Sequence, residues 1–492
     1  MKQKSWFKPR AFTHLTKKLS INDARWIESY ASNPHSIKRH KFFPLIHRTI
    51  AFKRYKKSID RNGNEVKRHY TIKDGNRKSN VKYREIYYPN HLDAHIYAYY
   101  TKKILEPLYE IELQNNDELN KSVLAYRKIP LSDNSRGKCN IDFANDAFND
   151  IKDFKGDTAV LALDISKFFD SLDHKLVKKS WTKLLKRIDL PEDHYNIFKS
   201  LTNFSYIEMK SLLDEFKFNH PREIIQKNVS HFIKNGSEFR SRIKSKGYIK
   251  KNPFRRNEKN LLGNEIKIIV GIPQGTPMSA FLANLYLLEF DKRVLSLLKK
   301  DNGIYRRYSD DIFIICKQEI YNEIEAYVYE LIKEFKLIIE PSKTQRSLFK
   351  DGKLAKGEKP VAYLGFEFDG KIKRLKSASI SKLYRKMKST IKFRAYRAYK
   401  AKEKLVNNSF VDTTLHRKKL YNRFSYLGGS KTGIRKRNYF SYANFATKIM
   451  DSPEINKQLS KAWKILHNEI DRNEKKFKLK RISHRVYCKI YL

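Results

Sequence analysis

Carboxylates at the ends of apolar β-runs constrain this chain more than any other feature. Residues 158–165 (TAVLALDI) read as a buried strand reaching Asp164 just before Ser166 onward turns into a helix. Residues 304–316 read as two short β-runs joined at Ser309-Asp310, which places Asp310 and Asp311 at a hairpin tip. Such positions normally disfavour an ionised group. Three carboxylates converging there repel one another unless a cation joins them. Hard oxygen donors suit Mg²⁺, which binds through a few carboxylates and substrate phosphates rather than in a full protein cage, with Mn²⁺ as a substitute. Each piece alone is common; their order along one chain is informative.

Composition sets the kind of partner. Lys and Arg number 104 against 53 Asp and Glu in 492 residues, a formal charge of +51 that points to a polyanion. With 40% hydrophobic and 13% aromatic residues, the chain can still bury large cores, which excludes wholesale disorder. Residues 371–492 hold 34 Lys or Arg against 7 Asp or Glu, about half of the net charge. Runs at 435–437 (RKR) and 475–481 (KKFKLKR) stand among Tyr421, Phe424, Tyr426, Tyr439, Phe440 and Phe445. Cations there can hold phosphates while rings stack on bases. In the alternative reading the rings form the core of a small helical domain and the lysines only solubilise it.

Cys139, Cys316 and Cys488 are far apart and form no C-x-x-C pair, so they read as reduced thiols rather than as disulfides or a zinc site. No stretch approaches the run of about 18 apolar residues a membrane span needs. The start, MKQKSWFKPRAF, has no apolar segment of signal type, and the expectation is a cytoplasmic protein without a membrane span.

Residues 1–80 read as a basic N-terminal extension of short helices followed by a turn-rich stretch, with Gly, Asn and Asp signals at 60–64 and 74–76. From Val81 the sequence runs as a strand, a Pro89 break and a helix. His91 and His95 lie four apart on that helix, but nothing nearby completes a metal site. Residues 271–289 form a Gly/Pro turn leading into an apolar helix, and residues 175–265 look like a basic helical insertion.

In this order the segments resemble the reverse transcriptases. LALDISKFFDSLDH is similar to the first palm motif, GIPQGTPMSAFLANLYLLEFD to the second, RRYSDDIFI to the catalytic hairpin, LIIEPSKT to the fourth and YLGFEF to the fifth. Upstream, KYREIYYP and SVLAYRKIP resemble the finger motifs. HKFFPLI, HLDAHIYAYY, AYRKIP and YRRYSDD are most similar to the bacterial unknown-group enzymes associated with phage defence. The resemblance covers residues 1–370 and implies an α+β right-hand polymerase. Its fingers would occupy 81–157 and its palm, an antiparallel sheet plus helices containing the 175–265 insertion, 158–370. A basic, mainly helical thumb or C-terminal RNA-binding region would follow at 371–492.

The resemblance also assigns roles. Asp164 and Asp310 would be the main metal ligands, with the Ile165 carbonyl assisting and Asp311 completing the cluster. Two Mg²⁺ ions so held activate a primer 3′-hydroxyl and stabilise the leaving pyrophosphate. Phe169 falls where the family places the ring that excludes a ribose 2′-hydroxyl. Gly271, Pro273 and Gly275 would let the backbone approach the incoming nucleotide and template closely, and Gln274 would hydrogen-bond there. Lys82 and Arg84 resemble the finger cations that clamp the triphosphate, and Lys343 the lysine that protonates pyrophosphate. Ser309 stands where many relatives carry Ala, a small-for-small change expected to preserve the turn.

The implied activity is RNA-templated DNA synthesis from dNTPs in antiviral defence, with a structured non-coding RNA and a DNA product as partners. A retroelement enzyme of intron or retron type and a non-catalytic RNA-binding scaffold are the alternatives. The intact acidic cluster speaks against the scaffold, and the lack of a recognisable HNH or Cys/His module after the thumb region speaks against an intron maturase. Template, trigger and oligomeric state stay open, a homo-oligomer included. The segment RVYCKIYL carries Tyr487 and Tyr491, either of which could offer a priming hydroxyl, Tyr491 ahead because a chain end is freer to enter a cleft. Priming by the RNA or a free 3′ end is the simpler alternative.

Overall fold

The computed structural model describes residues 6–53, 55–59, 63, 65–73, 76–259, 263–404, 415–428, 438–477 and 479. Tyr487 and Tyr491, the candidate priming residues, and Cys488 lie outside the described residues.

A five-stranded antiparallel sheet carries the acids. Its spatial order is Ile304–Tyr308, Asp311–Lys317, Thr158–Asp164, Gln345–Lys350 and Lys353–Leu354. The apolar runs are continuous because both faces of this sheet are buried, and side chains alternate between them. Ala159, Leu161, Leu163, Ile312, Ile314 and Cys316 enter one core; Val160, Phe313, Ile315 and Phe349 enter another. The register explains the sorting, since Ile312 faces Leu163 and Phe313 faces Ala162 across the ladder.

Helices close each face. Ser279–Tyr286, Leu288–Leu298 and Tyr321–Glu334 supply Leu282, Phe290, Val294 and Val328 to the first core. Asn140–Asp153 covers the other face with Ile141, Ala144, Phe148 and Ile151, spaced three and four apart as an amphipathic helix requires. Its start is fixed by the Cys139 amide donating to Asp142 at 2.8 Å. The long helix Ser377–Lys404 adds Leu383, Met387, Ile391 and Ala395 at four-residue spacing to that same second core.

The N-terminal extension is helical only in part. Short helices Ala24–Ser32 and Pro34–Lys38 give way to the strand Leu45–Lys53 and two small hairpins. Leu45–Lys53 pairs antiparallel with Val81–Tyr88, from Ile46 opposite Tyr88 to Lys53 opposite Val81. The expected boundary at residue 80 therefore falls inside the fingers sheet. The strands on either side of the turn signals pair as hairpins, Lys56–Ile59 with Glu65–Arg68 and Tyr70–Lys73 with Asn76–Ser79.

The segment 175–265 is likewise more than a helical insertion. His174–Leu184 and Glu192–Thr202 pack Val177, Trp181, Ile197 and Leu201 into the main core. Ser205–Glu208 then runs parallel to Leu45–Lys53 and extends the fingers sheet. Arg255–Lys259 and Glu265–Ile269 form a further hairpin. These short polar strands, "RRNEK" among them, carry too little apolar alternation to be read from sequence.

The C-terminal region continues the palm. Lys373–Leu375 pairs with Phe366–Phe368, so one sheet crosses the expected boundary at 371. Tyr421 and Phe424 are buried with Leu420, Met450 and Ile470, whereas Tyr426 and Phe445 are exposed. The aromatics are thus divided between core and surface. Among the described residues no helix is long and apolar enough to cross a membrane.

Candidate active site

Backbone pairing brings the acids together. Asp311 faces Asp164 across the ladder, and Tyr308 faces Asp311 across the hairpin, leaving Ser309 and Asp310 as the turn. The Ile165 amide donates to the Asp310 carbonyl at 3.0 Å, and the Glu340 amide donates to the Asp164 carbonyl at 2.8 Å. The end of the Asp164 strand is therefore held from both sides. Ile165 itself is buried in the first core.

The electrostatics record the crowding. Burial, then the charges of Asp310 and Asp164, push the Asp311 carboxyl up to about 7 against the opposing pull of Lys343 and Lys376. Lys343, in the short turn Pro341–Lys343, is ion-paired with Asp164. Among the described residues no three Asp, Glu, His or Cys side chains are arranged to hold a metal ion. The donor chemistry nevertheless fits a divalent cation: the donors are hard carboxylate oxygens only, and burial together with their mutual repulsion disfavours the bare negative charges.

The second palm motif packs against the fingers. Gly275 has φ +123°, and a Cβ there would lie 2.7 Å from the Tyr87 carbonyl oxygen and 3.0 Å from Ile86. The Tyr87 amide donates to the Gln274 carbonyl at 2.8 Å. Gly271, at φ +74°, would place a Cβ 2.5 Å from the Asp170 carbonyl. The close approach these glycines permit is here to the protein's own backbone, joining turn, fingers strand and first motif. Lys82, Arg84 and Ile86 share one strand face, so the two cations lie on the face that abuts this turn. Arg84 sits 5.4 Å over the Phe52 ring. Phe168 is in the core, while Phe169 is partly buried and its carbonyl accepts from the Ile272 amide at 2.9 Å.

Asp164, Asp310, Asp311 and Lys343 are thus gathered at one place, while Gln274 and Gly275 abut the strand that carries Lys82 and Arg84, and Phe169 meets the second motif through its carbonyl. Sequence reading passed over two further groups, a buried network around Arg307 and the residue Tyr126. Arg307 is fully buried and forks onto Asp291 at 2.7 and 2.6 Å, with Asp291 also accepting from Tyr305 at 2.6 Å. Arg307 also donates to Asn284 at 3.1 Å and to the Ser309 carbonyl at 3.2 Å. Tyr126 meets Ser309 hydroxyl to hydroxyl at 3.0 Å. A charged residue at an inward position of an apolar hairpin was the available signal for Arg307; nothing in sequence pointed to Tyr126.

The family model of reverse transcriptases (RNA-dependent DNA polymerases) matches residues 76–368, more than half of the chain. The chain belongs to the reverse transcriptase family. The matched region of this family member holds every site residue named above except Tyr487 and Tyr491. No curated protein matches the chain. Similar solved structures include apo telomerase from Candida tropicalis, at 12% identity and TM-score 0.34, covering 65% of this chain and 52% of that one. Telomerase from Candida albicans with the TWJ fragment of telomeric RNA is similar at 13% identity and TM-score 0.36, covering 92% of this chain and 67% of that one. The chain spans about half the length of the first of these.

Proposed function

We propose that this chain copies an RNA template into DNA, using Mg²⁺ held by Asp164, Asp310, Asp311 and the Ile165 carbonyl. The observation carrying the proposal is the register that sets Asp311 opposite Asp164 beside the Asp310 turn. When bound, the divalent ions would supply Lewis-acid stabilisation of the attacking and leaving oxygens. In the reaction the primer 3′-hydroxyl gives its proton to water, its oxygen bonds to the α-phosphorus, and the bond from that phosphorus to the pyrophosphate oxygen breaks, the electron pair leaving with pyrophosphate. Lys343, which is ion-paired with Asp164 beside the acids, would return a proton to the leaving group. Lys82 and Arg84 hold the triphosphate from the fingers, Gln274 and Gly275 line the turn they face, and Phe169 supplies the wall against a 2′-hydroxyl.

The same proposal assigns a dedicated structured RNA as template or partner and a role in antiviral defence. The finger and hairpin motifs shared with the defence-associated group support it, and the basic thumb supplies phosphate contacts. The test is to recover the chain from its host and sequence both the bound RNA and any DNA made. One small RNA with repeated short DNA is expected; intron RNA would instead place the chain among retroelement enzymes.

A further inference from the structure

Ser309 has φ +62°, a left-handed conformation that is uncommon for a residue other than glycine. Three separate segments hold the turn in that shape. Arg307 donates to the Ser309 carbonyl at 3.2 Å, the Ile165 amide donates to the Asp310 carbonyl at 3.0 Å, and the Tyr126 hydroxyl meets Ser309 Oγ at 3.0 Å. The first two are accepted by backbone carbonyls, of Ser309 and Asp310, and do not depend on the side chain at 309. The third needs the serine hydroxyl.

Tyr126 reaches the turn from an anchored platform. Val123 bridges Arg307 in parallel fashion, and the Leu124 amide donates to the Arg307 carbonyl at 3.0 Å. Asn284 donates to the Ala125 carbonyl at 2.8 Å. Arg127 donates to the Val123 carbonyl at 2.7 Å and grips Glu110 at 2.9 and 2.7 Å. Tyr126 itself has φ +64°, so the backbone on both sides of this hydrogen bond is in a strained region. Strain is retained only where the surroundings over-determine it, and here they do on both partners.

Exposure divides the pair. Ser309 is 4% exposed and Tyr126 47% exposed. A phenol so placed could satisfy its hydroxyl with water, so the bond contributes little to folding; what it fixes is position. It also lies within electrostatic reach of the acids, since burial and then the charges of Asp310 and Asp311 raise the phenol above its ordinary range despite the bond to Ser309.

We propose that Tyr126 is a positioning residue that locks Ser309, and through it the Asp310 and Asp311 carboxylates, so that Ser309 is the coupled partner of the fingers loop rather than a neutral replacement for Ala. The effect on catalysis rests on the polymerase reading above. An enzyme with Ala at this position has no hydroxyl to receive the latch and must fix its turn by backbone contacts alone.

A double-mutant cycle tests it, using Tyr126→Phe, which keeps the ring, Ser309→Ala, and the two combined in the full chain. Single-turnover addition of one dNTP to a DNA primer on an RNA template should slow about fivefold in each single variant and no further in the double, with primer–template affinity unchanged. Amide hydrogen exchange of the peptide 305–312 should quicken about fivefold in the same non-additive pattern, with no need of activity. Additive effects, or exchange and rates like wild type in Tyr126→Phe, would overturn the latch. If the wild-type chain adds no nucleotide at all, the polymerase reading fails, and the exchange measurement still decides whether Tyr126 holds the turn.

Discussion

Asp311 stands directly opposite Asp164 in adjacent antiparallel strands, in the central pair of the palm sheet. Partners in that position have Cβ atoms about 5 Å apart, so two carboxylates share one space by construction of the backbone. Burying hydrophobic residues on both faces of the sheet offsets the cost of that repulsion and keeps the acids in register. The same apolar packing that makes the strands legible makes the site rigid.

Asp170 should make stability depend on pH. Burial lifts its carboxyl to about 6 from an ordinary 3.8, with Lys167 opposing and Glu85 adding to the rise. A raised folded-state value means its protonation stabilises the fold fully below about 3.8, and that contribution is lost as pH rises through about 6. Asp170→Asn, which mimics the protonated form, should leave stability unchanged near about pH 4 and raise it by about 2 kcal/mol near about pH 8, by urea unfolding. An equal effect at both pH values would contradict the assignment.

Arg307 and Asp291 are both fully buried and depend on each other. Arg307→Met alone leaves Asp291 charged in the core and should cost about 3–5 kcal/mol. Replacing the pair together, Arg307→Met with Asp291→Leu, should recover most of that loss in equilibrium unfolding. A double variant as unstable as the single would mean that the surrounding hydrogen bonds to Asn284 and Ser309, not the charge, carry the cost.

The palm was legible because its signals are local. TAVLALD and IYRRYSDDIFIIC combine apolar strands with acids at their ends, and strand, helix and hairpin follow in order. What stayed hidden depends on long-range pairing. The strand Leu45–Lys53 has buried side chains only at its start, and its partners lie beyond the turn-rich stretch and within the 175–265 segment. Tyr126 was invisible for the same reason, since 183 residues separate it from Ser309. The continuous core beneath Ser377–Lys404 also could not be anticipated from charge, because the lysines describe only its outer face.

Phe169→Ala should admit ribonucleotides. The ring is partly buried beside Phe168, at 5.7 Å between centroids, and its removal clears space next to the first motif. The ratio of rNTP to dNTP incorporation should rise by an order of magnitude or more. An active variant with unchanged discrimination would place the gate elsewhere.

RNA affinity should fall steeply with salt, because cations that neutralise phosphates release counterions. Deleting residues 371–492 would strip Leu383, Met387 and Ile391 from the core they share with Phe313, so it cannot isolate the charge effect. Changing the exposed Lys382, Lys386, Lys388 and Lys392 to Gln keeps that core intact. The slope of log affinity against log salt should drop by roughly 0.7–0.9 for each phosphate that these lysines neutralise in the wild-type complex. An unchanged slope would assign these lysines to solubility alone.

The central claim is tested most directly by extension of a DNA primer on an RNA template with dNTPs and Mg²⁺, comparing wild type with Asp310→Asn combined with Asp311→Asn. The exchange removes negative charge from the turn and little packing, so folding and RNA affinity should persist. Extension that follows the template sequence in wild type and is absent from the folded double variant is the predicted result. Extension retained by that variant, with the chain shown to be pure, would contradict the assignment of these acids as metal ligands.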